Sequence, residues 1–406
     1  MVETQDPQFR RESGRLQVGE HGFDLASQRG HVQRVVLAER LLSPDSSVLA
    51  AALADRPALI VMTPSVLRHH GARLRAYLHA ARPGQRHELM VVRRTEATKD
   101  LAAVTEICDR AAATRLPRRS PIVAFGGGVC SDLCGLAAAL HRRGVPHIKV
   151  PTTLVGLIDA GIGTKNAVNH DGRKSGLGSF HPPEYSLLDP GFLRTLPHRQ
   201  LRNGLAEAIK LAIAADPVLF EHLETHGAAL AARQFRPDDG AITELIRRAV
   251  QGMLEELALS PYESIDKLRR KMDLGHTFSP EVESASDHLV LHGEAVAVDL
   301  ALSSQLAAQL GILRPADLER VLALLETCGL PLTWSKLSAD ALWASLAGVV
   351  DHRDGELNLV VPTGIGGCVF LDLADIDLAL VRSSIELLRR RATSRSTSGA
   401  RLLSLP

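Results

Sequence analysis

Three groups of side chains in this 406-residue chain have the types and spacing to do chemistry. Glu207 and Lys210 stand three apart in AEAIKLAIA, a helix too apolar for a solvated face, so both project from one side. They read either as an ion pair on a half-buried helix or as a metal-binding acid beside a lysine. The run DLGHTFSPEVESASDHLVLHGEA supplies His276, His288 and His292 within seventeen residues. Two imidazoles and one carboxylate that leave a position open make a catalytic zinc site, where substrate oxygen takes the vacant place. The spacing matches no local signature such as H-E-x-x-H, so the residues alone leave the choice open. Pro280 has a structural reading: Ser279 as N-cap, Pro280 at the first helical position and Glu281 behind it start a helix well.

The third group lies in PIVAFGGGVCSDLCGLAAALHRRGVPHIKVPTTLVGLIDAGIGTKNAVNHDGRK. Gly126, Gly127 and Gly128 follow a strand and precede a helix, where bare amides at a helix N-terminus attract anions. A tight strand-to-helix turn explains them equally well. The spacing is not G-x-G-x-x-G, and about 20 residues on, where that fingerprint has an acid, the chain reads HIKV. Thr152 and Thr153 end the next strand and can offer hydroxyls to a diphosphate or cap the following turn. Asp159, Lys165 and Lys174 fall in a glycine-rich segment that a simple core has no use for. With Arg143 upstream, the lysines can hold a phosphorylated substrate, or they are solvated loop residues.

The elements that must position these groups follow from periodicity. RPALIVM (56–62), ELMVVRR (88–94), PIVAF (121–125) and HIKVP (147–151) are apolar strand runs separated by helical patterns, and Thr63-Pro64-Ser65 is a helix-start signal. Strands alternating with helices predict a parallel sheet covered on both faces. Beyond about residue 200, GLAEAIKLAIAADPVLFEHLE, AITELIRRAVQGMLEELAL, EAVAVDLALSSQLAAQLG and ADLERVLALLETCG run at helical period, with LNLVVP (357–362) as one late strand. The division expected is a flexible arm over 1–30, with a swapped edge strand as the alternative, then an α/β nucleotide-binding domain over 31–200. An all-helical metal- and substrate-binding domain follows over 201–388, and a disordered Ser/Arg-rich tail over 389–406.

Composition bounds the class. With 45% hydrophobic and 23% charged residues the chain is globular, and a net charge of +1 argues against a nucleic-acid partner. Cys108, Cys130, Cys134, Cys328 and Cys368 are scattered and odd in number, so they read as buried thiols. No leader-like apolar region opens the chain, and no run reaches the roughly 18 to 20 apolar residues of a membrane span. A cytoplasmic protein without membrane contact is expected.

With these residues in hand, the chain resembles the sugar phosphate cyclases, the superfamily of 3-dehydroquinate synthase, from about residue 35 to 385. The carriers are E-x-x-K at Glu96 and Lys99, GGGVCSDLCG, RRGVPHIKVPTTL, the segment from Asp159 to Lys165, AEAIK, and GHT followed by HGEAVAVD. The resemblance implies NAD, one divalent metal, zinc or cobalt, a sugar phosphate substrate and a homodimer. By position it implies Glu207, His276 and His292 as metal ligands, and Glu96, Lys99, Gly126, Gly127, Gly128, Asp132, Thr152, Thr153 and Lys165 as cofactor contacts. Asp159, Lys165, Lys174, Lys210, Arg269, Asp273 and His352 become catalytic positions. Arg143, reaching across the dimer, joins Asn169, Lys174, Pro280 and Arg353 as substrate and phosphate contacts. His288 matches no ligand of the family.

Departures indicate the branch. Where dehydroquinate synthases read D-S-S-V-G-G-K-T, N-F-G-H-T-x-G-H and a late lysine pair, this chain reads DAGIGTKN, DLGHTFSP and DHRDG. Asp273 replaces an Asn, Pro280 a second His, His352-Arg353 the lysines, and Ser175 the Asn after Lys174. A carboxylate at Asp273 repels a substrate carboxylate, which disfavours an acidic deoxy-heptulosonate. The set resembles the 2-epi-5-epi-valiolone synthases, which take sedoheptulose 7-phosphate. That likeness implies transient oxidation at C5 by NAD, loss of the C6 proton and of phosphate from C7, return of hydride, and aldol closure of the C7 carbon on the C2 ketone. A 3-dehydroquinate synthase or another sugar phosphate cyclase (valiolone epimer or deoxy-scyllo-inosose type), a metal-dependent polyol dehydrogenase of the same broad fold, and a catalytically dead binding or regulatory homologue are the rival readings.

Overall fold

The computed structural model describes residues 12–19, 22–171, 173–234, 240–259, 269–287, 289–352 and 355–396. The expected arm carries an antiparallel hairpin, β1 (Glu12–Gly19) with β2 (Gly22–Arg29). The first half then runs β3 (Arg34–Leu37), α1 (Val48–Leu53), β4 (Leu59–Met62), α2 (Pro64–Ala81), β5 (Glu88–Val91), α3 (Leu101–Ala113), β6 (Ile122–Gly126), α4 (Gly128–Leu140) and β7 (His147–Pro151). A second hairpin, β8 (Lys165–His170) and β9 (Arg173–Phe180), precedes β10 (Tyr185–Leu188).

Six of these strands form one parallel sheet in the order β3-β10-β7-β6-β4-β5. The four apolar runs named from sequence are its β4, β5, β6 and β7. In β4, β6 and β7 every residue is buried, as expected of strands covered on both faces. Thr63 caps α2, its hydroxyl accepting from Val66 N. Strand order reverses between β4 and β6, and the crevice at the carboxyl ends of such strands is where open α/β sheets bind ligands. The first turn of α4 opens there.

The second half is helical: α5 (His198–Ala214), α6 (Pro217–Ala231), α7 (Ala241–Leu259), α8 (Ser279–Ala285), α9 (His292–Gln309), α10 (Pro315–Thr327) and α11 (Ala339–His352). The run read as one helix over 204–224 is two, because Asp216 caps Leu219 N at 2.9 Å and Pro217 opens a new first turn. LNLVVP is a strand, β11 (Leu359–Gly364), and its partner β12 (Gly367–Leu371) makes a hairpin rather than a lone strand. The chain described closes with α12 (Leu378–Ser396), which runs into the stretch expected as a tail. Leu388 is buried there, and Arg391 Nη2 lies 2.7 Å from Glu319 and 3.0 Å from Glu326, both on α10. These contacts hold the helix where Ser/Arg composition suggested none. Residues 397–406 and Arg353 lie outside the described residues.

Helix α9 is buried almost all round, packed on α5, α8, α10, α12 and β11. A helix apolar on every side belongs in the middle of a core, and α9 is the axis of the helical half.

Candidate active site

A cleft of about 670 Å³ runs between the carboxyl ends of the sheet strands and the helical half. Gly127, Thr152 and Asp159 line one wall, and Asn203, Glu283 and His292 the other.

On the sheet side, the first two glycines of the triplet are forced by their neighbours. A Cβ on Gly126 would meet Cys130 Cβ at 2.6 Å, and one on Gly127 would meet Thr153 Cγ2 at 2.9 Å. Gly127 and Gly128 therefore bring bare backbone to the cleft at the start of α4. Thr153 Oγ1 accepts from Gly156 N at 3.1 Å, so it caps the next turn while lining the cleft with Thr152. Lys99 is buried between two carboxylates, its Nζ 2.8 Å from Asp132 and 3.1 Å from Glu96. Burial opposes its charge, but the two acids raise its pKa above the ordinary lysine value. Asn169 donates from Nδ2 to Glu96 O at 2.7 Å and accepts at Oδ1 from Ser175 N at 3.0 Å. It ties the second hairpin to the Glu96–Lys99 turn.

On the helical side, Glu207, His276 and His292 converge, with one donor atom of each within 4.8 Å of the others. Glu207 comes from α5, His276 from the loop before α8, and His292 from the first position of α9. Gly293 permits that last placement: its backbone approaches α5 so closely that a Cβ would lie 1.9 Å from Asn203 O. Each imidazole has its Nδ1 occupied, His276 by Leu274 O at 3.2 Å and His292 by Glu283 at 2.9 Å. Their Nε2 atoms turn to Glu207, His292 at 3.0 Å and His276 at 3.9 Å.

The Glu207 carboxylate is wholly buried. Lys210 Nζ stands 2.6 Å from Oε2, yet neither oxygen makes a well-angled hydrogen bond, so lone pairs remain unclaimed. Burial alone would raise this acid; the Lys210 ammonium, with His292 and His276, reverses that and holds it well below the ordinary carboxylate range. Burial and Lys210 push His276 down to about 4. Burial would lower His292 as well, but Glu207 and Glu283 raise it to about 9. An ionised buried acid facing two Nε2 atoms, each with its other nitrogen held by an acceptor, suits a divalent cation of the zinc type.

The remaining residues named from sequence are placed as follows. Asp159 lies in a π turn, Gly156–Ala160, and its charge faces Lys210. Lys174 pairs with Glu283 at 2.6 Å, and Lys165 is exposed at the start of β8. Arg143 is exposed outside its own chain's cleft, in a left-handed turn at φ 63°. Arg269 donates to Asn358 at 3.1 Å, and Asp273 sits 3.7 Å from Arg270. Pro280 is exposed in the first turn of α8, whose N-cap is Phe278 and not Ser279. Capping is remote there: Asp299 of α9 accepts from Phe278 N and Ser279 N, the latter at 2.9 Å. His352 ends α11, and His288 lies outside the described residues.

Sequence reasoning missed Glu283, which joins Lys174 to His292 and is held to about 2 against its burial by those two partners. Its signal was helical spacing, since Ser279, Val282, Glu283 and Ser286 share the buried face.

The family model for the 3-dehydroquinate synthase N-terminal region matches residues 89–203, and that for the C-terminal region matches 204–348. A 2-epi-5-epi-valiolone synthase of Streptomyces hygroscopicus subsp. jinggangensis (strain 5008) is 44% identical over 376 residues, 88% of this chain and 90% of that one. A 3-dehydroquinate synthase of Synechococcus sp. (strain CC9605) is 39% identical over 376 residues, 91% of this chain and 98% of that one. The solved structure of ValA, the 2-epi-5-epi-valiolone synthase of that Streptomyces strain with NAD+ and Zn2+ bound, matches with a TM-score of 0.85 at 42% identity, over 90% of this chain and 99% of that one. The chain belongs to the 3-dehydroquinate synthase family, among the sugar phosphate cyclases.

Proposed function

We propose that this protein converts sedoheptulose 7-phosphate to 2-epi-5-epi-valiolone with loss of phosphate. The observation that carries the reading is the Glu207, His276 and His292 set, whose His292 lines the glycine-triplet cleft, with the charge of Asp273 reaching Lys210, where it would repel a carboxylate substrate. The likeness to valiolone synthases supports it.

Bound at these residues, a zinc or cobalt ion supplies Lewis acidity and NAD supplies reversible hydride acceptance. The chain's own contribution is positioning and charge. Glu207, His276 and His292 hold the cation, while Gly127, Gly128, Thr152 and Thr153 cradle the diphosphate, with Lys99 fixed behind them by Glu96 and Asp132. Lys210 stays protonated between Glu207 and Asp159 and donates to a substrate hydroxyl. Lys174 and Lys165 hold the phosphate, joined by Arg143 of a second copy in a homodimer. Such preorganised charges contribute about 3 kcal/mol each where charge develops. Keeping one substrate molecule in the cleft through elimination makes ring closure intramolecular. Among the described residues no helix is long and apolar enough to cross a membrane, and action in the cytoplasm is part of the proposal.

Incubating the purified protein with sedoheptulose 7-phosphate, and separately with the 3-deoxy-heptulosonate phosphate, tests the reading. Phosphate release and a C7 cyclitol from the first alone are expected. Release from the second alone would make the protein a dehydroquinate synthase, and net NADH accumulation would make it a dehydrogenase.

A further inference from the structure

Lys149 is wholly buried in the middle of β7, at 0% exposure. A strand covered on both faces is normally apolar, and a buried ammonium is costly unless its protons find acceptors. Here they do. Nζ donates to Ala160 O and to Gly163 O, both at 2.9 Å. Two neighbours extend the pattern: Ser186 Oγ of β10 donates to Gly161 O at 2.5 Å, and Gln33 Nε2, just before β3, donates to Ile162 O at 2.7 Å. Four consecutive carbonyls, 160 to 163, are each held by a side chain from the sheet or from the residue that leads into it.

This stretch joins Asp159 to Lys165. Its own amides fold back tightly, Ile162 N and Gly163 N both donating to Asp159 O, and a Cβ on Gly161 would come within 2.2 Å of Gly156 O. Ile162 anchors the turn in the apolar core at 0% exposure, and the four-carbon stem of Lys149 adds a polar tie to the sheet that ends in three donors. The ammonium also faces the charges of Asp132 and Asp159. It lies behind the turn and away from solvent, so it holds the turn rather than touching substrate.

We infer that Lys149 is a positioning residue: by grasping Ala160 O and Gly163 O it sets where Asp159 and Lys165 stand across the substrate site. The inference rests on the reading of the cleft given above.

The test compares the full-length wild type with Lys149→Met, which keeps the stem and removes the donors, and with Lys149→Arg, which restores donors. Hydrogen exchange over residues 156–165 needs no substrate. In Lys149→Met it should rise about tenfold, while exchange over 126–134 stays as in the wild type. On sedoheptulose 7-phosphate, kcat/KM per NAD-binding site should fall about 100-fold, the scale set by a small misplacement of reacting groups, with metal content and NAD stoichiometry unchanged. Lys149→Arg should recover part of both losses. Exchange and kcat/KM within about threefold of the wild type overturn the inference. So does a loss of kcat that only tracks lost NAD sites at constant KM, or an arginine variant no better than methionine. If Lys149→Met is insoluble, Lys149→Gln, which keeps an amide donor on a shorter stem, is judged on the same readouts. A wild type inactive on this sugar refutes the proposed function instead, and the exchange result still decides the role of Lys149.

Discussion

Glu283 stands between His292 and Lys174, with Oε1 2.9 Å from the imidazole Nδ1 and Oε2 2.6 Å from the ammonium. One buried carboxylate thus orients together an imidazole of the proposed metal set and a lysine proposed to hold phosphate. Glu283→Gln should weaken metal affinity about 10- to 100-fold, the usual cost of losing such an outer partner, and raise KM for the sugar phosphate. Chelator competition and steady-state kinetics measure the two effects, and unaltered metal affinity would remove Glu283 from this role.

Glu207→Ala should abolish metal binding and activity together. It also strands Lys210 as a buried charge without its partner, and breaking such a pair costs about 3–5 kcal/mol. Urea unfolding of Glu207→Ala against Glu207→Ala/Lys210→Met separates the two consequences. The second change should return stability without returning metal.

At Gly293 the contact is with backbone, which cannot swing aside. Gly293→Ala should push the start of α9, and His292 with it, away from α5. A stability loss of about 1–3 kcal/mol, typical of overpacking, should accompany a drop in metal affinity. Calorimetry with metal analysis checks both, and retained metal affinity despite lost stability would show that His292 does not move.

Acid should destabilise the sheet half through two histidines. Burial, with help from Arg73 and His69, lowers His70 from 6.5 to about 4, and burial, Lys149 and His181 hold His147 well below 6.5. The unfolded chain takes up these protons first, so this contribution is whole above pH 6.5 and is lost as pH falls toward 4. His147 is stacked on His181 with neither ring nitrogen hydrogen-bonded. His147→Phe should therefore flatten the fall in urea midpoint between pH 8 and pH 5. A variant that falls as steeply as the wild type would assign the acid sensitivity elsewhere.

The sequence was readable where a residue type was out of keeping with its surroundings. Glu207 and Lys210 stood out in an apolar helix, the glycines between a strand and a helix, and His276 and His292 beside motif residues. The four strand runs were legible because fully buried parallel strands are continuous apolar runs. Contacts that depend on distant pairing left no such trace. Asp299 caps α8 from about twenty residues away, and Arg391 holds α12 through acids on α10. The hairpin of β8 and β9 hid among glycines and charges, because register is set by the partner strand and not by either strand alone.

The clamp on residues 160 to 163 acts on carbonyls, and every group that makes it comes from outside the turn. The turn's backbone path is therefore held from outside as well as by its own buried Ile162 and by the lack of a side chain at Gly161. Exposed residues beside it, such as Lys165, can be exchanged on a frame that stays put. That is a favourable starting point for evolution or engineering to alter which sugar is accepted, since a new preference then requires replacing side chains and not rebuilding a loop.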